Sequence, residues 1–261
     1  MIKIEKENIK EIKEKFVERI KKSIAKNKIE DLQQDKDFPD DELHRKITEL
    51  YSCSAELLEM KNDEFDNYLT SIKANKDDIN IKYFDYETII DYKKDKHTHA
   101  YWLMNELRVN TCPYCNRQYT FTIEDKGIRP QFDHFYPQSK YPYLALSFYN
   151  LVPSCPTCNQ IKLDKPINKN PYIEGFGNDY KFELKNKDNT KEDWCLDKNN
   201  IKVDFSSESE NENIKVFGLK ELYNEHIEYV EEIIDKAQAY NSTYYDSLIQ
   251  SFSGLGYFDC G

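Results

Sequence analysis

A chain of 261 residues, 39% hydrophobic and 33% charged, is long enough to bury a core and has the balance of a soluble globular protein. No apolar run approaches the roughly 20 residues of a membrane span, and the charged opening MIKIEKENIKEIKEK is unlike a secretory signal, so the expected location is cytoplasmic. A net charge of −11 argues against a free-standing protein that holds nucleic acid by bulk electrostatics, because neutralising phosphates takes Lys and Arg.

In chain order, Ile4, Ile9, Ile12, Phe16, Ile20 and Ile24 recur at near-helical spacing and predict a helix over 3–27. Pro39-Asp40-Asp41-Glu42 has the form of a helix start, with acids in the first turn. Helices are expected over about 40–51 and 53–73, then shorter ones over 86–93 and 96–109. Residues 1–107 thus read as a helical region, a platform for a partner or substrate, without recognisable chemistry.

The texture changes in residues 108–175, where Pro113, Pro130, Pro137, Pro142, Pro153, Pro156 and Pro166 concentrate and short extended stretches replace helical periodicity. Between 101 and 175, eight Lys/Arg stand against six Asp/Glu, +2, which leaves −13 on the rest of the chain. If nucleic acid is touched, the centre touches it. Gly127 in EDKG is expected to turn a hairpin between FTI and the strand carrying Asp133. In residues 176–261, YKFEL (180–184) and NIKVDF (200–205) alternate as strands, SSESENEN (206–213) reads as an exposed loop, and 220–252 as one long helix or a helix pair. There are no internal repeats.

Seven cysteines are too few and too uneven for a secreted disulfide scaffold. Cys53, Cys195 and Cys260 stand alone and read as buried or incidental thiols. Cys112-Pro-Tyr-Cys115 and Cys155-Pro-Thr-Cys158 are two short knuckles with 39 residues between them. Each lets two thiolates converge on one ion, and together they make a closed tetrahedral zinc site; a pair of redox dithiols is the weaker alternative, since no thioredoxin-like pattern surrounds either. Such a site supplies on the order of 10 kcal/mol of folding free energy, enough to explain how so irregular a segment folds.

Between the knuckles lies Gln131-Phe-Asp133-His134. At the end of a regular strand, neighbouring side chains point to opposite faces, so one can bind a metal while the other reaches a water. Alone, an Asp-His pair is usually incidental. After it, Cys158 is followed by Asn159, and Lys162 lies three residues on, so both can share one face of a short helix opened by the second knuckle. Lys162, Arg129 and Arg117 are candidate phosphate contacts, a solvated surface charge being the equal alternative for each. His97 and His99 could reach metal or DNA, while His44 and His226 read as structural or exposed. The tyrosines from Tyr114 to Tyr149 either stack on unpaired bases or, as is commoner, fill a small core.

The ordered set Cys-x-x-Cys, Asp-His, Asn-Leu, Cys-x-x-Cys-Asn-x-x-Lys resembles the HNH endonuclease family in its four-cysteine, zinc-stapled form. It is especially similar to the branch with Asn at the last motif position, as in the phage junction-resolving endonuclease VII. The resemblance covers about residues 108–166. It implies an α+β fold with a ββα-metal core flanked by a helical N-terminal region and a C-terminal α/β extension. It further implies Asp133 and Asn159 as ligands of a catalytic Mg2+ or Mn2+, His134 as the general base, and Asn150 as the residue holding the His-bearing loop. The stretch DHFYPQSKYPYLALSFYNLVPSCPTCN with a long acidic C-terminal helix is also similar to HNH nucleases encoded beside an ATPase in bacterial anti-phage systems of the Septu type. The expected partners are therefore nucleic acid, DNA before RNA, and a protein such as an ATPase. Two alternatives stay open: a zinc-stapled interaction module without catalysis, and an RNA-cutting toxin on the same scaffold.

Overall fold

The computed structural model describes residues 1–32, 86–90, 99–141, 144–188, 200–207 and 211–253. The helices expected over 40–51 and 53–73, with Cys53, Cys195, Cys260, His44, His97 and Tyr143, lie outside the described residues. Helices and two small antiparallel sheets make the chain α+β. Among the described residues, no helix is long and apolar enough to cross a membrane.

The first helix, α1, runs Ile9–Leu32 and starts later than the periodicity predicts. The reason lies in the backbone: Ile2 N–H donates to the Pro113 carbonyl at 2.8 Å and Ile4 N–H to that of Pro171 at 2.7 Å. With those donors used there, the leading segment is not helical, and the helix begins beyond it. Ile12, Phe16, Val17 and Ile20 are buried at helical spacing. Beyond α2 (Tyr86–Ile89) comes α3 (His99–Leu107), which ends two residues before the predicted limit; residues 91–93 and 96–98 of the two predicted helices lie outside the described residues. α3 buries Ala100, Leu103, Met104 and Leu107 and packs against α1, where Arg19 Nε meets His99 Nδ1 at 3.3 Å and its guanidinium lies 4.7 Å from the Trp102 ring centroid.

A bridge between Thr111 and Tyr119 closes the first knuckle. A second bridge, Ile123 to Ile128, spans a 3-10 turn (Glu124–Lys126) that ends at Gly127 with φ +68°, a left-handed position that suits glycine. The reversal expected at Gly127 is therefore present, but the strand after it, β1 (Gln131–His134), pairs elsewhere. Its partner is β2 (Leu151–Ser154), antiparallel, with Gln131 opposite Ser154 and Asp133 opposite Val152. The second knuckle leads into α4 (Pro156–Lys162), with Cys155 as N-cap and Pro156 at the first helical position.

The second sheet pairs β3 (Phe182–Asn186) with β4 (Ile201–Phe205), close to the predicted strands. Ile201, Val203 and Phe205 alternate inward. The segment expected as an exposed loop over 206–213 is different at its described end. Asn211 caps α5 (Glu212–Val216), and the buried Asn213 accepts from the backbone N–H of Asn168 and Lys169 at 3.2 and 3.0 Å while donating to the Lys169 carbonyl. Asparagine favours loops because it bonds backbone locally, and the same property makes it a helix cap. The long C-terminal helix divides into α6 (Leu219–Asn224), α7 (Ile227–Ala239) and α8 (Ser242–Ser253). Asn224 fixes α6 to β4 by accepting from Val203 N–H and donating to its carbonyl.

By contact the chain forms two compact units. One comprises Met1–Gly177 with Asn211–Phe217, the other Asn178–Glu210 with Gly218–Gly261. The regions 1–107 and 108–175, distinct in sequence texture, fall within the first.

Candidate functional site

The four thiols of Cys112, Cys115, Cys155 and Cys158 are buried, with their sulfurs all within 4.8 Å of one another. Sulfurs 2.3 Å from a tetrahedral zinc stand about 3.8 Å apart, so the cluster could hold a metal ion such as zinc with little movement. Local backbone explains the convergence. At the first knuckle Cys112 N–H donates to the Gln118 carbonyl and Asn116 N–H to the Cys112 carbonyl, with Asn116 at φ +49°. At the second, Cys158 N–H donates to Cys155 Sγ at 3.4 Å. Four thiols this close cannot all ionise unaided. Hydrogen bonds among them push Cys112 and Cys158 up and bring Cys115 and Cys155 down, Cys155 to about 7. A dication removes that frustration by favouring thiolate at every position.

Asp133 sits beside this cluster on β1, 2% exposed. The strand does not show the expected alternation: Phe132 and Asp133 are both buried and His134 is half-buried. Every residue of β2 is buried too, so both sides of this small sheet are covered, and burial no longer reports the pleat. Tyr114, between the first two cysteines, donates its hydroxyl to Asp133 Oδ2 at 2.6 Å. Lys162, at the end of α4, places its ammonium 3.2 Å from both carboxylate oxygens and donates to the His134 carbonyl at 2.6 Å. Burial pushes the Asp133 carboxyl up to about 6, against the pull of Lys162 and Tyr114. The same burial lowers Lys162, and Tyr114 is driven well above its ordinary range by burial and the Asp133 charge.

His134 Nε2 lies 3.1 Å from the Ala145 carbonyl oxygen. A carbonyl only accepts, so Nε2 carries the proton and Nδ1 keeps its lone pair. Burial lowers the imidazole to about 4, the Ala145 contact opposing and the Lys162 charge reinforcing the shift. The Tyr86 ring packs on it edge to face, with centroids 4.7 Å apart. Asn150, fully buried, ties the following loop together: Oδ1 accepts from Tyr136 N–H at 2.7 Å, and Nδ2 donates to the carbonyls of Tyr136 and Leu144. That loop carries the Ala145 carbonyl, so Asn150 acts on His134 at one remove.

Asp133, His134 and Asn159 line one cleft of about 340 Å³, with Gln138, Ser139 and Asp164 among its other walls. Asn159 Nδ2 donates to Gln131 Oε1 at 2.8 Å, leaving Oδ1 as the amide's acceptor. Arg129 and Arg117 are half-buried and do not line the cleft; Arg129 donates to the Pro130 carbonyl and lies over the Tyr101 ring. Lys162, a candidate for phosphate, is fully buried and turned to Asp133. His99 faces Arg19. Of the tyrosines, Tyr114 is buried and stacks on Phe217, with centroids 4.5 Å apart. Neither its hydroxyl nor the Ala145 carbonyl was legible as a site group: knuckle spacing does not say which way the intervening aromatic turns, and a backbone acceptor leaves no mark in sequence.

The chain is similar to the Septu protein PtuB of Bacillus thuringiensis, with 32% identity over 68 residues. That stretch is 26% of this chain and spans a quarter of the length of that protein. No protein family profile and no solved structure matches the chain.

Proposed function

We propose that this chain is a metal-dependent endonuclease of the HNH, ββα-metal kind that hydrolyses phosphodiester bonds in DNA, and that it is the nuclease of an anti-phage defence system. The observation that carries the reading is the meeting of Asp133, His134 and Asn159 at one cleft, delivered by a two-stranded sheet and the helix that follows it. The partial likeness to the Septu protein supports the setting. The donor set of one carboxylate and one amide oxygen suits Mg2+ or Mn2+, which keep most of their waters. When bound, such an ion would stabilise charge on the phosphate and the departing 3′ oxygen.

His134 is the general base in this reading. Its bare Nδ1 takes the proton of a water, the water oxygen forms the new bond to phosphorus, and the P–O3′ bond breaks with its electron pair on O3′, which takes a proton from solvent, leaving a 5′-phosphate and a 3′-hydroxyl. Held to about 4, the ring is unprotonated throughout the physiological range, though so weak a base gives less drive to proton transfer than one near 7. Asn150 positions the loop carrying the Ala145 carbonyl and so fixes the tautomer. The buried four-thiol cluster is the structural zinc centre. Nucleic acid and a protein partner, an ATPase in the Septu setting, complete the assembly.

A second reading draws on Lys162. An ammonium 3.2 Å from both oxygens of Asp133 neutralises the carboxylate and opposes a cation there, as expected of a zinc-stapled interaction module in which Asp133 is structural. The deciding experiment incubates the protein with supercoiled plasmid and single-stranded DNA, in Mg2+ or Mn2+ against EDTA, beside His134→Ala of verified zinc content. Nicking lost in the variant and in EDTA, with 5′-phosphate ends, is the expected result. Products ending in a 2′,3′-cyclic phosphate would overturn water attack. No cleavage, even with an ATPase of the Septu type added, would favour the module.

A further inference from the structure

Within the second compact unit, α7 and α8 carry large apolar side chains that face solvent. Tyr229, Ile233 and Tyr240 are 66%, 65% and 62% exposed, and Tyr244, Leu248 and Phe252 continue the series. Tyr229 and Ile233 stand four apart on α7, Tyr240 follows at its C-cap two turns on, and Tyr244, Leu248 and Phe252 stand four apart on one face of α8. The inward side of α7 is marked by Ile234, 5% exposed, so the apolar stripe is a second face and not the core-facing one.

α8 makes the point sharper. It is 12 residues long, and every residue from Asn241 to Leu248 is exposed. Isolated helices of that length are marginal in water, and helices in proteins take most of their stability from burying an apolar face. Scattered exposed apolar residues need no explanation, whereas a periodic row of large apolar side chains marks a surface made to be covered. The flanks tell what covers it. Ile227–Ser253 carries five acids against Lys236, a net −4; Glu231 and Asp246, two positions from Tyr229 and Tyr244, face away, and Lys236, seven from Tyr229, lies on the stripe. Glu228, Glu232 and Asp235 run along one side of the α7 stripe by helical spacing, and Lys236 is tied to Glu232 at 2.6 Å. A second copy of this chain would bring acids against acids. The geometry points to a docking surface for a protein partner whose contact element is an amphipathic helix with an apolar face flanked by Lys and Arg. Apolar burial supplies the affinity, and the acidic margin supplies the choice of partner and speeds encounter.

The inference is independent of cleavage and is tested on full-length protein carrying His134→Ala. The probe is a fluorescein-labelled amphipathic helical peptide with a Leu face flanked by Lys, with the same peptide carrying Glu in place of Lys as control. The Lys peptide is expected to bind, and Tyr244→Ser with Leu248→Ser, which leaves every charge in place, is expected to weaken it about tenfold. Both changes lie on the exposed face, and circular dichroism checks that the fold is retained. Equal binding of the two peptides, binding of the Lys peptide unaffected by the variant, or no binding of the Lys peptide would each overturn the proposal. Sedimentation closes the remaining route: a dimer abolished by Leu248→Ser would make a second copy the occupant and overturn it as well.

Discussion

A carboxylate with 2% of its surface exposed cannot hold charge without donors, and Asp133 has two, Tyr114 and Lys162. Removing the phenol hydroxyl in Tyr114→Phe is expected to cost about 1.5–3 kcal/mol, the range for a hydrogen bond to a charged group, read as a shift of the urea midpoint. Lys162→Met strands the carboxylate and is expected to cost more, about 3–5 kcal/mol. Pairing it with Asp133→Leu should recover most of that loss, since replacing both members of a buried pair by apolar groups is often near neutral. A double variant no more stable than Lys162→Met alone would mean that the pair is not formed in solution. The sequence made Asp133, His134 and the cysteines legible because the signal is local: two residues side by side, or two thiols separated by two. Lys162 was legible as a residue of interest and misleading in its direction, because a cation's exposure is decided by packing across 29 positions of chain.

At the scale of elements, the two knuckles organise their surroundings as well as themselves. Each gives two thiols to the cluster and one side chain to Asp133: Tyr114 from the first, Lys162 from the helix opened by the second. Purified protein is expected to carry about one zinc per chain, and Cys115→Ser or prolonged chelation should loosen the sheet of β1 and β2, seen as loss of amide protection in hydrogen exchange. Retained protection after the metal has gone would mean that packing alone holds the sheet. The junction of α1 and α3 carries a pH signature. Burial first, then the Arg19 charge, lowers His99, so its neutral form belongs to the folded chain. A lowered folded value means that this contribution is complete above the ordinary value of 6.5 and is lost as pH falls. His99→Gln, which keeps a side-chain acceptor for Arg19 without titrating, should flatten the fall in urea midpoint between neutral and mildly acidic pH. Taking the difference between the two proteins cancels the opposed titrations of Asp133 and His134, which both share. The elements themselves were readable wherever periodicity or capping is strong, as in β3, β4 and the opening of α4. Helix limits were not, because they rest on distant backbone partners such as the Pro113 and Pro171 carbonyls.

At the scale of the molecule, charge and topology follow different divisions. The net +2 of residues 101–175 sits amid acidic sequence, a distribution visible from composition, whereas the division into two compact units was not. It depends on a return of the chain that the contacts of Asn213 and Phe217 mark. The polypeptide leaves the first unit after Gly177, comes back for Asn211–Phe217, and leaves again, so it crosses the boundary three times. Those seven residues are few but well placed: Asn213 holds the backbone at Asn168 and Lys169, and the Phe217 ring lies against Tyr114, whose hydroxyl holds Asp133. A gene shortened to end at Gly177 would keep every cysteine of the cluster and every residue of the cleft, yet its product would lose the ring that backs Tyr114. Such a fragment is expected to accumulate as aggregate, and grafting residues 211–217 onto it through a flexible linker is expected to restore solubility where the bare fragment fails. A soluble, zinc-loaded bare fragment would show the return to be dispensable. The unit that carries the cleft and the four thiols is thus written in the gene as two separated stretches.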